Sequence, residues 1–160
     1  VTNQEQRVSA EGSTATAVAE ALVRLAAAVH RYRSMVARDR YGLDTPGGIA
    51  IIALVTRGPM PPGEVAALVN LTPPATTELL DRLDRLGYIE RRPHPTDRRK
   101  LLVSPTPRAS AGVHAETLEL AKLIGPALPD DPDTNGLLTT MTDIILRVEQ
   151  TNDQISGQSG

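Results

Sequence analysis

Residues 64–104 read EVAALVNLTPPATTELLDRLDRLGYIERRPHPTDRRKLLVS, and the punctuation of this stretch sets the architecture. Val65, Ala66 and Leu68 mark a short helix over 64–69, and Asn70 suits the left-handed residue that ends one. Thr72-Pro73 reads as an N-cap followed by a proline at the first helical position. The helix it opens spans 73–86, turns Leu79, Leu80, Leu83 and Leu86 inward, and closes at Gly87. Beyond that glycine the period changes. YIERR (88–92) and KLLVS (100–104) read as short strands, joined by PHPTDRR (93–99), a loop of turn formers. Two helices on a tight turn followed by a β-hairpin make a winged helix-turn-helix, with 46–105 as its span.

The flanks are helical. Thr45-Pro46 repeats the cap-and-proline signal and opens a helix through Ile49, Ile51, Ile52, Leu54 and Val55 that stops before Gly58. GPMPP (58–62) is a turn. Over 13–40, Val18, Leu22, Leu25, Val29, Tyr32 and Val36 recur at alternating four- and three-residue steps. That is a single narrow stripe on a long helix, the pattern of a seam against another long helix. Thr106-Pro107 starts another helix, through Val113, Leu118, Leu120, Leu123 and Ile124 to Gly125. GPALPDDPDTNG (125–136) is a connector with a helix start near Asp131, its acids placed as helix-start residues. The last helix carries Leu137, Leu138, Met141, Ile144, Ile145 and Val148. The expected architecture is mainly α with a small β-hairpin wing. Residues 13–44 and 106–151 supply long dimerisation helices, 1–12 a disordered arm and 152–160 a flexible tail. Val18, Leu22, Leu25 and Val29, with Leu137, Met141, Ile144 and Val148, form the expected seam of a homodimer.

Composition narrows the function. The chain has 160 residues, 40% hydrophobic and 22% charged, ordinary for a globular protein. Aromatic residues make up 2%, with no Phe or Trp, so the core is aliphatic, which suits packed helices. Without cysteine there is no disulfide, thiol nucleophile or Cys-based zinc site. His30, His94 and His114 lie far apart with no ligand spacing, so no metal and no cofactor are expected. No nucleophile elbow or glycine-rich phosphate loop is present, and the chain reads as no enzyme. The polar start VTNQEQRVSAEGSTA lacks an apolar signal core, and no stretch reaches the ~18 apolar residues of a membrane span. The expectation is a cytoplasmic protein without membrane contact.

The formal net charge is −2, yet Arg91, Arg92, Arg98, Arg99 and Lys100 crowd one short stretch with Asp97 as the only acid among 91–100. Charge concentrated this way suits a local contact with a polyanion. An α-helix fits the major groove of duplex DNA, and a basic hairpin tip can reach the adjacent minor groove. The expected DNA-binding set is Thr72, Pro73, Pro74, Ala75, Thr77, Glu78 and Arg82 from the helix, with Arg91, Arg92, Arg98, Arg99 and Lys100 from the wing. Thr77 faces outward or is simply solvated. Arg82 and Arg85 reach phosphates or pair with Glu78 and Asp81 at helical spacing. Asp97 shapes the wing, accepting from its backbone or pairing with an arginine. Arg98 or Arg99 enters the minor groove, and Arg91, Arg92 and Lys100 touch phosphates without regard to sequence.

Glu64-Val65-Ala66, Leu71-Thr72-Pro73, Asp81-Arg82-Leu83, Gly87-Tyr88-Ile89-Glu90-Arg91, Pro95-Thr96-Asp97-Arg98-Arg99 and Leu102-Val103 together resemble the winged-helix core of the MarR family of bacterial transcriptional regulators. The resemblance covers about 46–107, and Asp97-Arg98-Arg99 before an apolar strand and Thr106 is its most specific part. It implies a homodimer held by the first and last helices, each protomer presenting a winged helix to half of a pseudo-palindromic operator in double-stranded DNA, as a repressor. It also implies a small aromatic effector between the dimer helices and the winged helix, with His30, Tyr32, Arg33 and His114 as lining. Three departures stand out. Glu78 replaces a basic or polar residue, repelling phosphate but able to accept from a cytosine amino group. Pro74 and Ala75 offer no hydrogen-bonding side chain. Pro105 stands where a strand leucine is usual and would shorten the second wing strand. Glu78 and the Pro73-Pro74-Ala75 start leave an alternative: a winged helix used for protein–protein contact, with no operator of its own.

Overall fold

The computed structural model describes the backbone of residues 3–97, 100–128 and 134–157, with side chains described at 14–97, 100–128, 134–152 and 154. The elements run α1 (Asn3–Tyr41), α2 (Thr45–Arg57), α3 (Pro62–Val69), α4 (Pro73–Arg85), β1 (Ile89–Pro93), β2 (Leu101–Pro105), α5 (Pro107–Ile124), a 3-10 turn at Gly125–Ala127, and α6 (Thr134–Gly157). The fold is mainly α with a two-stranded antiparallel wing. It divides into two compact units, Val1–Thr117 and Leu118–Gly160.

The first unit holds the winged helix. Leu54, Val65, Leu80, Leu83, Ile89 and Val103 are fully buried in one aliphatic cluster drawn from α2, α3, α4 and both strands. Three chain reversals set the angles between these elements. Asn70 sits at φ 52°, ψ 48° and ends α3, its N–H donating to Ala67. Gly87, at φ 73°, lets Tyr88 N–H reach back to the Leu83 carbonyl at 3.0 Å, so β1 leaves α4 at once. The third reversal goes beyond the plain turn expected at 58–62. Met60 exchanges two backbone hydrogen bonds with Val103, at 3.1 and 2.9 Å, and is itself buried. The α2–α3 turn thus lies against the wing as a single-residue third strand.

Beyond shifts of one or two residues at α3, α4 and both strands, four departures from expectation stand out. The cap of α2 is Asp44, not Thr45, which is already helical; Asp44 Oδ1 accepts from Gly47 N–H at 3.0 Å. A carboxylate reaches that N–H with charge that also suits the positive helix end. β2 is not shortened by Pro105, which pairs with Ile89; the ladder continues past it as Thr106 N–H donates to the Tyr88 carbonyl at 3.0 Å. Residues 3–12, expected as a disordered arm, are helical and continue α1; they hold no proline and only Gly12 among glycines. Residues 152–157, expected as tail, complete α6 for the same reason. The expected helix start near Asp131 lies outside the described residues.

α1 is 39 residues long, roughly 58 Å at ~1.5 Å per residue. Among its described side chains, Val36 and Ala37 near its end are buried, whereas Val18, Val23 and Leu25 are 46%, 70% and 46% exposed. In the second unit, α6 leaves Leu137, Leu138, Met141, Ile145 and Val148 exposed. Among the described residues no helix is long and apolar enough to cross a membrane.

Candidate nucleic-acid interface

α4 turns Thr76, Leu79, Leu80 and Leu83 into the core and leaves Pro73, Pro74, Thr77, Glu78, Asp81, Asp84 and Arg85 exposed. The buried Thr76 hydroxyl is satisfied by the Thr72 carbonyl at 3.0 Å. Thr72 occupies the N-cap position, as expected, but its side chain makes no capping bond. A cap accepts from the N–H of the second or third helical residue, and the second here is Pro74, which has none. Pro73 and Pro74 together remove two of the first-turn donors that make a helix start attractive to phosphate. The anion affinity of this helix end is therefore blunted. Thr77 is exposed, and its hydroxyl donates to the Pro73 carbonyl at 3.0 Å.

Arg82 does not pair with Glu78 or Asp81. It crosses to α2, and its Nη2 donates to Asp44 Oδ1, the atom that caps that helix. Arg82 Nε is buried with no hydrogen-bond partner. A Cβ at Gly47 would stand 2.9 Å from Asp44 Oδ1, so a larger residue there would push this carboxylate aside. Asp44 thus holds the start of α2 and the middle of α4 together. D44A is expected to lower unfolding free energy by about 1–2 kcal/mol, the loss of a cap with an added share for the stranded guanidinium. D44N keeps the cap and is expected to recover most of that loss. Urea midpoints of the three proteins decide; equal losses for D44A and D44N would assign the effect to the ion pair.

The wing strands adjoin the exposed face of α4. Arg91 Nη2 on β1 is 2.5 Å from Asp81 Oδ1 on α4. Arg92 pairs with Glu90 at 2.5 Å, and Lys100 Nζ lies 3.9 Å from Asp97. The expected phosphate contacts at Arg91, Arg92 and Lys100 are therefore each beside an acid. These pairs are exposed, and such pairs are worth little in water, so an arriving phosphate can compete for the cation. The loop is closed by its backbone: His94 N–H donates to the Lys100 carbonyl, and Lys100 N–H to that of Asp97, both at 2.9 Å. His94 Nδ1 accepts from Thr96 N–H at 3.3 Å. Asp97 thus contributes its carbonyl as well as its carboxylate. Arg98 and Arg99 lie outside the described residues.

Behind the winged helix, still within the first unit, is a cavity of about 80 Å³. Its walls come from the end of α1, from α2 and from α5, with Ile49, Ile51, Ile52 and Val113 apolar and His30, Arg33, Tyr41 and Glu116 polar. Of the expected lining, His30 and Arg33 are present; Tyr32 is half-buried elsewhere and His114 is exposed. Glu116 was not foreseen. It is buried and accepts from Arg33 Nε at 2.6 Å. It continues the inward stripe of Ala109 and Val113, a spacing legible in the sequence. Tyr41 donates to the Gly112 carbonyl at 3.3 Å and meets Tyr88 edge-on, ring centres 6.2 Å apart. Among the described residues no three His, Asp or Glu gather as a metal site.

Residues 51–101 match the model of the MarR family. An HTH-type transcriptional regulator of Mycobacterium leprae is 29% identical over 100 residues, covering 62% of this chain and 70% of that protein. Curated relatives of the same description from Mycobacterium bovis and Mycobacterium tuberculosis match over only 38% of their length. Among solved structures, RV1404 of Mycobacterium tuberculosis is 27% identical with a TM-score of 0.58, covering 82% of this chain and 92% of that one. The transcriptional regulator Tm0710 of Thermotoga maritima shares the fold, with a TM-score of 0.60 at 19% identity, covering 82% and 94%.

Proposed function

We infer that this chain, whose winged helix is of the MarR family, is a sequence-specific regulator of transcription that binds double-stranded DNA as a homodimer and represses at a pseudo-palindromic operator. The observation that carries the reading is the Arg91–Asp81 contact. It joins the basic strand of the wing to the outward face of α4, so that one surface offers both a groove-sized helix and a cationic edge. Relatives described as transcriptional regulators support it; the protein-contact alternative gains no such support. The dimer is supported by α1, whose stripe at Val18 and Leu25 meets solvent in the single chain, and by the similar stripe at Leu137, Met141 and Val148.

An effector in the cavity would act through its walls. An engineered cavity of about 150 Å³ takes benzene. An aromatic ligand would therefore have to widen this smaller space. Leu43 and Thr45 both line it and flank Asp44, which holds Arg82 of α4. Widening would thus move the recognition helix.

Anisotropy titrations against duplex from the protein's own promoter region, at salt from about 50 to 200 mM, test the function. A surface making some six or more phosphate contacts is expected to lose roughly 1,000-fold in affinity across that range. Sedimentation at micromolar concentration is expected to show a dimer. A flat salt response, or a monomer, would overturn the reading.

A further inference from the structure

The first two turns of α4 offer DNA almost nothing but hydrogen-bond acceptors. Pro73 and Pro74 carry no N–H, and Ala75 has no polar side chain. Thr76 is buried. Thr77 has one hydroxyl proton, and it is given to the Pro73 carbonyl, an atom that can only accept. What Thr77 shows to solvent is a lone pair. Glu78, exposed one residue on, is acceptor-only when ionised. Asp81, next on the same outward face, is held by Arg91 at 2.5 Å. The first guanidinium on this face is Arg85, two turns past Thr77, and its Nε is turned back to the Asp81 carbonyl at 3.3 Å.

In the major groove, guanine presents only acceptors through N7 and O6. Cytosine presents the N4 amino donor, and adenine the N6 amino donor beside N7. An acceptor facing an acceptor leaves both unpaired and desolvated. We propose that α4 reads amino-bearing base edges, cytosine N4 above all, through Glu78, and that Thr77 reinforces the choice while guanine is rejected on the strand that Glu78 faces. Glu78 is then a specificity-determining residue: its charge works against the phosphates, and it is tolerated because the cations sit on the wing. Adenine is second choice, since a carboxylate can take its N6 proton but leaves N7 without a donor. The inference rests on the DNA-binding function proposed above.

Selection from randomised duplex, followed by binding to single-base variants of the selected site, tests it with the full chain and with Glu78→Gln. The wild type is expected to enrich a cytosine in each half-site, and replacing it with guanine should weaken binding about tenfold or more. Glu78→Gln supplies a donor and an acceptor, matches adenine N6 and N7, and is expected to move the preference at that one position from cytosine to adenine. The position is exposed, so the variant should melt with the wild type, which a thermal scan checks. Three results overturn the inference while leaving the DNA-binding function intact. They are a half-site in which no position enriches a C·G pair, an unchanged base preference in Glu78→Gln, and a variant that binds all duplexes more tightly by one common factor. Failure to retain any duplex would remove both.

Discussion

Replacing Leu83 with alanine is expected to remove about 3 kcal/mol from the stability of the first unit, more than any surface change discussed above. Leu83 has no solvent exposure and projects from the inner face of α4 into the cluster that holds Leu54, Val65, Leu80, Ile89 and Val103. The core there is aliphatic and formed by short elements, so few long side chains are free to swing into the vacated space. Large-to-small changes at such sites span about 2–5 kcal/mol, depending on how far the surroundings collapse. Leu83 also stands where the chain reverses, since its carbonyl receives the Tyr88 N–H at 3.0 Å and fixes the exit of β1. A cavity beneath it would loosen both α4 and the wing. Domains commonly hold only 5–15 kcal/mol in all. A drop of this size is expected to lower the melting temperature by roughly 10 °C or more. Leu86→Ala, at a half-buried position one helical turn on, serves as the comparison and is expected to cost well under half as much. Urea unfolding of the two variants measures both. A Leu83 loss no larger than that at Leu86 would show that the cluster is not the keystone of the winged helix.

Much of this core was readable because α4 obeys its period. Leu79, Leu80 and Leu83 fall on one helical stripe, and Asn70, Gly87 and the Thr106-Pro107 pair mark boundaries that the backbone respects. Thr106 caps α5 as its sequence suggested: its hydroxyl oxygen lies 3.3 Å from Ala109 N–H. What escaped was set by partners distant in sequence. Asp44 and Thr45 are both good capping types, and nothing local says that Arg82, far along the chain, would draw the carboxylate into place. Met60 sits among glycine and prolines, and its bridge to Val103 forms only because the wing folds back over the turn. Glu116 looks like one more helical charge until Arg33 arrives from α1. The pairing of Arg91 with Asp81 belongs to the same group. The charge of the strip is legible along the chain, but which acid meets which base is decided by tertiary approach.

That pairing gives weight to Arg98 and Arg99. Residues 90–100 carry Arg91, Arg92, Arg98, Arg99 and Lys100 against Glu90 and Asp97, five cations to two acids, or +3. Without Arg98 and Arg99 the count is three to two, or +1, and each remaining cation has an acid within 4 Å. R98A/R99A is therefore expected to disable the wing as a polyanion contact while leaving the fold alone. A dimer would lose up to about four contacts, and the slope of log affinity against log salt should fall by roughly 3–4. Affinity near 0.1 M salt should drop about 100- to 1,000-fold, with each charge-assisted contact contributing on the order of 1 kcal/mol after competition from water. A thermal scan checks that the double variant keeps the fold. R98K/R99K separates two ways in which this pair can act. Lysine restores the point charge, so phosphate contact alone would return both slope and affinity. A guanidinium seated in a narrowed minor groove is planar and weakly hydrated, and lysine replaces it poorly. In that case the slope recovers, but discrimination among sites differing in minor-groove width does not. An unchanged slope in R98A/R99A would mean that the strongest concentration of positive charge in this chain faces something other than DNA.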